Sequence, residues 1–432
     1  MRRIAASVVV MAFACPVSAA PTGASGVVSL DRLVDDVVAG NAERQFYERE
    51  LAAARVQRTA AGRLADPDLI VEFGEKTTTG ASPVVGGVSG TGGGRTLGPG
   101  PAYQVSIVQP LEFNGRIALR RAIADRQIDL AVLGYQQYTA TLAARARTLA
   151  YTLFTASGKA DAANEVAARL EGVAAVTVQR DIAGPSPLIA ARILEAGALT
   201  ARRQAATAVV DYNSALYELN QLRGAPFNTP IQLIAPPLVL PPLPSQETLV
   251  EAAQARNFEI RSLTAELEQQ GLRVSLARRM RVGTVAVGPY YRQETAGTTD
   301  HFAGVHVTVP LPIWNRQAGD VAIEQGKVAQ AESALFAQIR TVERTLFDEA
   351  AIYRARTASL ARLPADSGAR FREMADLAER SYRLGAVTAT VYLDAQRQYL
   401  DALTAVLDTR REALAAGLQV DVLTGNVPGE PR

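Results

Sequence analysis

The segment Pro110-Leu111-Glu112-Phe113-Asn114-Gly115-Arg116 returns two hundred residues later as Pro310-Leu311-Pro312-Ile313-Trp314-Asn315-Arg316. Each copy follows an alternating run of β type and opens a very long helical stretch. A repeat of about 200 residues lies far beyond solenoid periods, so it reads as a duplicated half-molecule. A unit that joins short strands to such long helices leaves few folds open.

Residues 1–19 read as an export signal. Arg2 and Arg3 form the basic start, Ile4 to Ala14 the apolar stretch, and Val17-Ser18-Ala19 a small-residue cleavage site. The apolar stretch is too short for a stop-transfer helix. Cys15, the only cysteine, lies inside this segment. Cleavage before Cys15 makes a lipoprotein, which Ala14 suits and Ala12-Phe13 do not; cleavage after Ala19 removes the thiol altogether. The chain has 45 Lys+Arg against 43 Asp+Glu, and loss of Arg2 and Arg3 balances the two signs. No basic excess argues for nucleic acid. No later segment runs eighteen apolar residues without charge, so membrane-spanning parts of an exported chain like this would be β-strands.

Two repeats, 20–225 and 245–426, flank a proline-rich linker at 226–244, with a tail at 427–432. Pro236-Pro237 and Pro241-Pro242 prevent the linker from continuing a helix. Each repeat starts with a helix, Leu30 to Leu64 and then Gln246 to Arg281, with Asp31 and Ser245 as starting residues. Leu33…Asn41 and Leu249…Asn257 keep the same spacing. β-Hairpins follow at about 68–110 and 283–310. Leu69, Val71 and Phe73 alternate with Asp68, Ile70 and Glu72, and Tyr103, Val105 and Ile107 alternate with Gln104, Ser106 and Val108. In the second half Val285, Val287 and Tyr291 share one face, and Val305, Val307 and Val309 share another. Such runs suit tilted membrane-spanning strands. An ordinary hairpin on a soluble core has the same alternation. The first connecting loop, Lys76 to Ala102, is long and rich in glycine; the second, Gln293 to His301, is short and polar.

Helical hairpins complete the repeats, at about 115–224 and 316–425. No proline interrupts Gly115 to Ile182, a span approaching 100 Å at about 1.5 Å per residue. Ile128, Ala131, Tyr135, Tyr138 and Leu142 give a coiled-coil seam, matched by Leu335, Ile339, Val342 and Leu346; Arg145 and Glu349 break these seams. Pro364 is expected to kink the second long helix. Returning helices, Leu188 to Arg223 and Ala389 to Leu423, stop at Gly224 and Gly425. In each half the first helix and the returning helix together match the long helix in residues. Stacked end to end they can lie along it, the geometry of a cylinder wall.

In order, duplication and spacing these segments resemble the TolC family of outer-membrane efflux factors. Pro310-Leu311-Pro312-Ile313-Trp314-Asn315-Arg316 looks especially like its CzcC-type, heavy-metal branch. The resemblance implies a mainly α fold with a small β part: a long α-helical coiled-coil tunnel, plus four strands per protomer in a trimeric twelve-stranded outer-membrane barrel. It implies a homotrimer that meets a periplasmic membrane-fusion adaptor, an inner-membrane RND pump and outer-membrane lipid. Elementary physics reaches part of this, because four strands cannot close a barrel and open edges are intolerable in lipid.

The same resemblance implies a periplasmic constriction at the second helical turn. Aligned on Gly385 and on Val391-Tyr392-Leu393-Asp394-Ala395, Asp394 falls on an inward acidic position and Tyr382 on a gating tyrosine. Val391 stands where the family has a second acid, so one ring of carboxylates is expected in place of two. Such a ring favours cations. The bland alternatives are a solvated Asp394 paired with Arg397 and a packed interhelical Tyr382. Asp181 and Arg383 could pair across the closed end, or be generic surface charges. At the barrel-to-tunnel junction stand Pro110, Arg116, Pro310, Trp314 and Arg316, the prolines expected to end their strands. Trp314 and Tyr290-Tyr291 suit an aromatic belt or simple packing. His301 and His306 are the only histidines and make a poor metal site, with His306 expected to face the lumen. No phosphate loop, nucleophile elbow or zinc-spaced motif appears, so neither an enzyme nor a cofactor is expected. The expected function is passive conduction for a tripartite efflux system, with metal cations as the cargo suggested by the branch. The rival is a periplasmic coiled-coil adaptor or scaffold without a barrel.

Overall fold

The computed structural model describes residues 28–77, 99–179, 185–234, 238–296, 298–311, 318–364 and 367–426. The first half comprises α1 (Leu30–Gly40), α2 (Ala42–Ala61), β1 (Asp68–Lys76), β2 (Gly100–Leu111), α3 (Arg116–Gln179) and α4 (Pro185–Leu222). The second comprises α5 (Gln246–Arg256), α6 (Phe258–Met280), β3 (Val285–Ala296), β4 (Thr298–Thr308), α7 (Ala318–Ala361), α8 (Ser367–Arg383) and α9 (Ala389–Leu423). The fold is mainly helical with one small sheet. Among the described residues no helix is long and apolar enough to cross a membrane.

The first helix of each repeat, expected to be continuous, is two helices that meet at an asparagine. Asn41 and Asn257 both leave the helical backbone, with ψ of 123° and 128°. The Asn257 side chain accepts from the N–H groups of Glu259 and Ile260, which caps α6, and its amide donates to the Leu423 carbonyl at 2.9 Å. Asn41 donates to the Leu222 carbonyl at 3.0 Å. One asparagine thus ends a helix and holds the final carbonyl of the returning helix. Those returning helices end in left-handed glycines, Gly224 at φ 67° and Gly425 at φ 70°. Pro364 does more than kink the second long helix. α7 stops at Ala361 and α8 begins afresh at Ser367, because the ring removes a helical N–H and crowds the preceding turn.

Both hairpins join one antiparallel sheet in the order β1-β2-β3-β4. The stretch Gln293–His301, expected as a loop, is mostly paired strand, with Gln293 opposite His301 and Glu294 opposite Asp300. Its threonines favour extended backbone, and the strand partner fixes the register. Pro110 does not end β2. It lies inside the strand opposite Ala286, past the point where β1 begins opposite Val108, so one side is open and a missing N–H is tolerated. Pro310 does lie beyond β4 and packs on Gly283, where a Cβ would sit 1.9 Å from its Cγ. Most of the glycine-rich first loop, 78–98, lies outside the described residues.

The chain forms two compact units, each built from both halves. One takes the chain up to Ala42, Leu142–Pro241 and Ile352–Leu418; the other takes Glu43–Thr141, Pro242–Ala351 and the chain from Gln419. In the sheet-bearing unit the expected seam Leu335, Ile339, Val342 and Leu346 packs against Leu249, Ala253, Ile260, Val420 and Leu423. Tyr138 of the other seam stacks on Tyr47 at 4.6 Å and donates to Glu43 at 2.9 Å. The core of the other unit is rich in alanine: Ala163, Ala167, Ala198, Ala201 and Ala375 surround Leu170, Leu194 and Tyr392. Small residues let these helices approach closely. A Cβ on Gly197 would lie 2.3 Å from Leu393 Cδ1.

Candidate functional site

The register of the sheet sorts its residues into two chemically distinct faces. Pairing sets Leu69 opposite Ile107, Val71 opposite Val105, Phe73 opposite Tyr103, Val105 opposite Tyr291, Pro289 opposite Val305 and Val287 opposite Val307. Because strand side chains alternate, these odd-numbered positions share one side of all four strands. All but the half-buried Val287 are exposed although apolar or aromatic, with Phe73 at 85% and Val305 at 65%. The even side carries Glu72, Gln104, Ser106, Arg292, Glu294, Asp300 and His306, with glycine or alanine at 74, 102, 286, 288 and 304; Ile70, Val108, Tyr290 and Phe302 are its large apolar or aromatic members.

The even side is the concave one. Lys76, on edge strand β1, bonds Glu294 of β3 at 3.0 Å and Asp300 of β4 at 3.1 Å. Across a flat sheet β1 and β4 stand about 14 Å apart, well beyond a lysine side chain. The sheet therefore curls toward its polar face. Glu294 is buried, with Arg292 as a second cation partner. His306 lies on this face and contacts Thr308 at 2.7 Å, whereas His301 lies on the other beside Tyr291. The two histidines do not converge, and no cluster of three potential metal ligands occurs among the described residues.

Arginines bolt the helices to the sheet. Arg116, buried at the start of α3, donates to Thr284 Oγ1 at 2.9 Å and to the carbonyls of Arg279 and Val282, locking the turn between α6 and β3. Arg279 returns the contact to the Asn114 carbonyl. Arg120 pairs with Glu112 and donates to the Arg63 carbonyl, while Arg121 donates to that of Gly62, so the α2–β1 turn is held in the same way. Asn114 and Gly115, both left-handed at φ 65° and 67°, make the abrupt change from β2 to α3. Trp314 and Arg316, the corresponding residues of the second half, lie outside the described residues.

Three of the expected constriction residues, Tyr382, Arg383 and Asp394, flank the turn between α8 and α9. Gly385, left-handed at φ 76°, ends α8. Tyr382 stacks on Tyr392 with ring centroids 5.4 Å apart. Arg383 pairs with Glu379 at 2.6 Å on its own helix; Asp181 lies outside the described residues. Asp394 is exposed and accepts from Gln398 at 2.8 Å.

Beside them lies an ion network the sequence reading missed. Arg169 of α3 contacts Glu165, Asp376 and Glu379, and Arg372 of α8 contacts the same Glu165 at 2.6 Å. Burial pushes the Glu165 carboxyl up, but the two guanidiniums outweigh it and hold its pKa below the usual range. Burial likewise lowers Arg169, and its carboxylates overcome that. Four-residue spacings at Glu165/Arg169, Arg372/Asp376 and Glu379/Arg383 were the available signal. Gln396, fully buried, donates to the Ala375 carbonyl at 3.0 Å and ties α9 to α8.

No family model and no curated protein matches the sequence. Solved structures do match the fold. A membrane protein from Pseudomonas aeruginosa is 19% identical, with a TM-score of 0.72 over 96% of this chain and 97% of that one. The outer membrane channel CmeC of Campylobacter jejuni is 14% identical, with a TM-score of 0.70 over 93% of this chain and 87% of that one. The outer membrane channel MtrE of Neisseria gonorrhoeae, solved in its open state, is 16% identical, with a TM-score of 0.69 over 92% and 89%. The chain has the fold of these proteins nearly end to end.

Proposed function

We propose that this chain is the protomer of a homotrimeric outer-membrane channel that passively conducts substrate outward for a tripartite efflux system. The observation that carries the reading is the two-faced sheet. Its exposed apolar face needs an apolar solvent, its concave polar face suits an aqueous lumen, and its two open edges need partners. A water-soluble adaptor has no use for such a face. Three copies joined edge to edge give twelve strands and remove every edge. The similarity of fold to outer-membrane channels supports the same reading.

In this reading the helices form a tunnel that receives an adaptor and an inner-membrane pump. Tyr382, Arg383 and Asp394, with Asp181, form its constriction. The proposed cargo is cationic, heavy-metal ions being the finer assignment. Asp68, Glu72, Glu294 and Asp300 outnumber Lys76 and Arg292 on the concave face, and three Asp394 carboxylates would meet at the axis. The test is direct. Outer-membrane fractions are expected to yield detergent-stable trimers whose conductance in planar bilayers favours cations, a preference that Asp394→Asn weakens. A soluble periplasmic monomer overturns the channel, and an anion-selective pore overturns the cargo.

A further inference from the structure

Arginines collect where the helices meet the sheet. Three arginines and no acid lie between Glu50 and Asp66, and four arginines and no acid between Glu268 and the start of β3 at Val285; Asp66 and Asp68 are the acids that follow at the first of these junctions. Acids and bases nearly balance over the whole chain, so this is a local excess of one sign. Part of it serves the fold: Arg58 pairs with Asp125, and Arg279 is taken by the Asn114 carbonyl. Arg63, Arg278 and Arg281 are exposed and form no ion pair with any described residue.

The two halves repeat one arrangement here. Arg63-Leu64 and Arg281-Val282 each occupy the turn between a helix and the strand after it. Leu64 and Val282 are each 56% exposed, beside an exposed guanidinium. The apolar face of the sheet also continues past the end of β4 through Val309 to Leu311, which is 72% exposed. Exposed apolar side chains followed by unpaired guanidiniums are what an interface demands: the carbon sinks toward the acyl chains and the charge stays at the phosphates. Guanidinium also matches phosphate in a bidentate fashion.

We propose that Arg63, Arg278 and Arg281 bind the phosphate headgroups of anionic phospholipid at the membrane surface from which the helices emerge. This rests on the reading of the sheet as membrane-embedded. The full chain, purified in detergent, is mixed with equal amounts of phosphatidylglycerol and phosphatidylcholine, and retained lipid is counted by native mass spectrometry. Phosphatidylglycerol is expected to be retained in roughly fivefold preference per engaged arginine, falling at high salt. Arg63→Gln with Arg281→Gln is expected to reduce that preference and leave the oligomer intact, while Arg344→Gln on α7 changes nothing. Equal retention of both lipids, an unchanged preference in the double variant, or complete displacement by inorganic phosphate overturns the headgroup assignment alone. A lipid-free soluble chain overturns the membrane reading with it. Should the double variant not assemble, the salt dependence of the unaltered chain decides.

Discussion

Single side chains in the helical core set up opposite expectations for similar changes. Tyr392 is fully buried, its hydroxyl has no hydrogen-bond partner among the described residues, and burial pushes its pKa up. Tyr392→Phe removes a desolvated, unbonded hydroxyl, so denaturant unfolding is expected to show stability unchanged or raised by up to about 1 kcal/mol. Tyr392→Ala also deletes the ring packed on Tyr382 and is expected to cost about 3–5 kcal/mol in the same assay. Glu165 carries a pH dependence. Its folded pKa lies below the usual 4.5, so its pairs stabilise the protein above that value and fail as pH falls through the lowered one. Melting temperature is expected to drop as pH falls below about 4.5, and Glu165→Gln to flatten that part of the profile. Because the pair is partly solvated, about 1 kcal/mol is at stake.

The duplicated joints carry the prediction at the level of elements. Gly425 and Gly224 are both left-handed, yet a Cβ on Gly425 would lie 2.4 Å from the Arg256 carbonyl oxygen and one on Gly224 3.2 Å from that of Gly40. Both alanine variants lose about 1–2 kcal/mol to backbone strain. Thermal unfolding is expected to show Gly425→Ala as the worse, since neither backbone oxygen can step aside and only the one facing Gly425 lies closer than van der Waals contact allows. These joints were half legible. The matched spacing of Leu33…Asn41 and Leu249…Asn257 was visible, whereas the helix break was not. An asparagine inside a helical pattern looks like a solvated position until the carbonyls of Leu222 and Leu423 supply its partners. The constriction divides in the same way. Tyr382 and Asp394 could be placed along the helices, but the Arg169 network joins residues about two hundred positions apart.

For the whole molecule, the sheet decides which solvent the protein needs. Val305→Arg puts a charge on the exposed apolar face and is expected to cost about 2–4 kcal/mol of membrane insertion, read as the fraction of heat-modifiable trimer. Glu72→Arg, on the polar face, is expected to insert normally; equal loss in both variants would mean that the two faces meet the same solvent. The sequence by itself determined the duplication, the order of helices and strands, and the alternation within each strand, because these depend on the local spacing of residue types. Only the tertiary structure decided that the two hairpins form one sheet, that exposed apolar residues from all four strands line up on its outer side, and that Lys76 answers Glu294 and Asp300 across its hollow. The β2–β3 pairing and the curvature are set by contacts between residues about two hundred positions apart, and such contacts leave no trace in a local pattern.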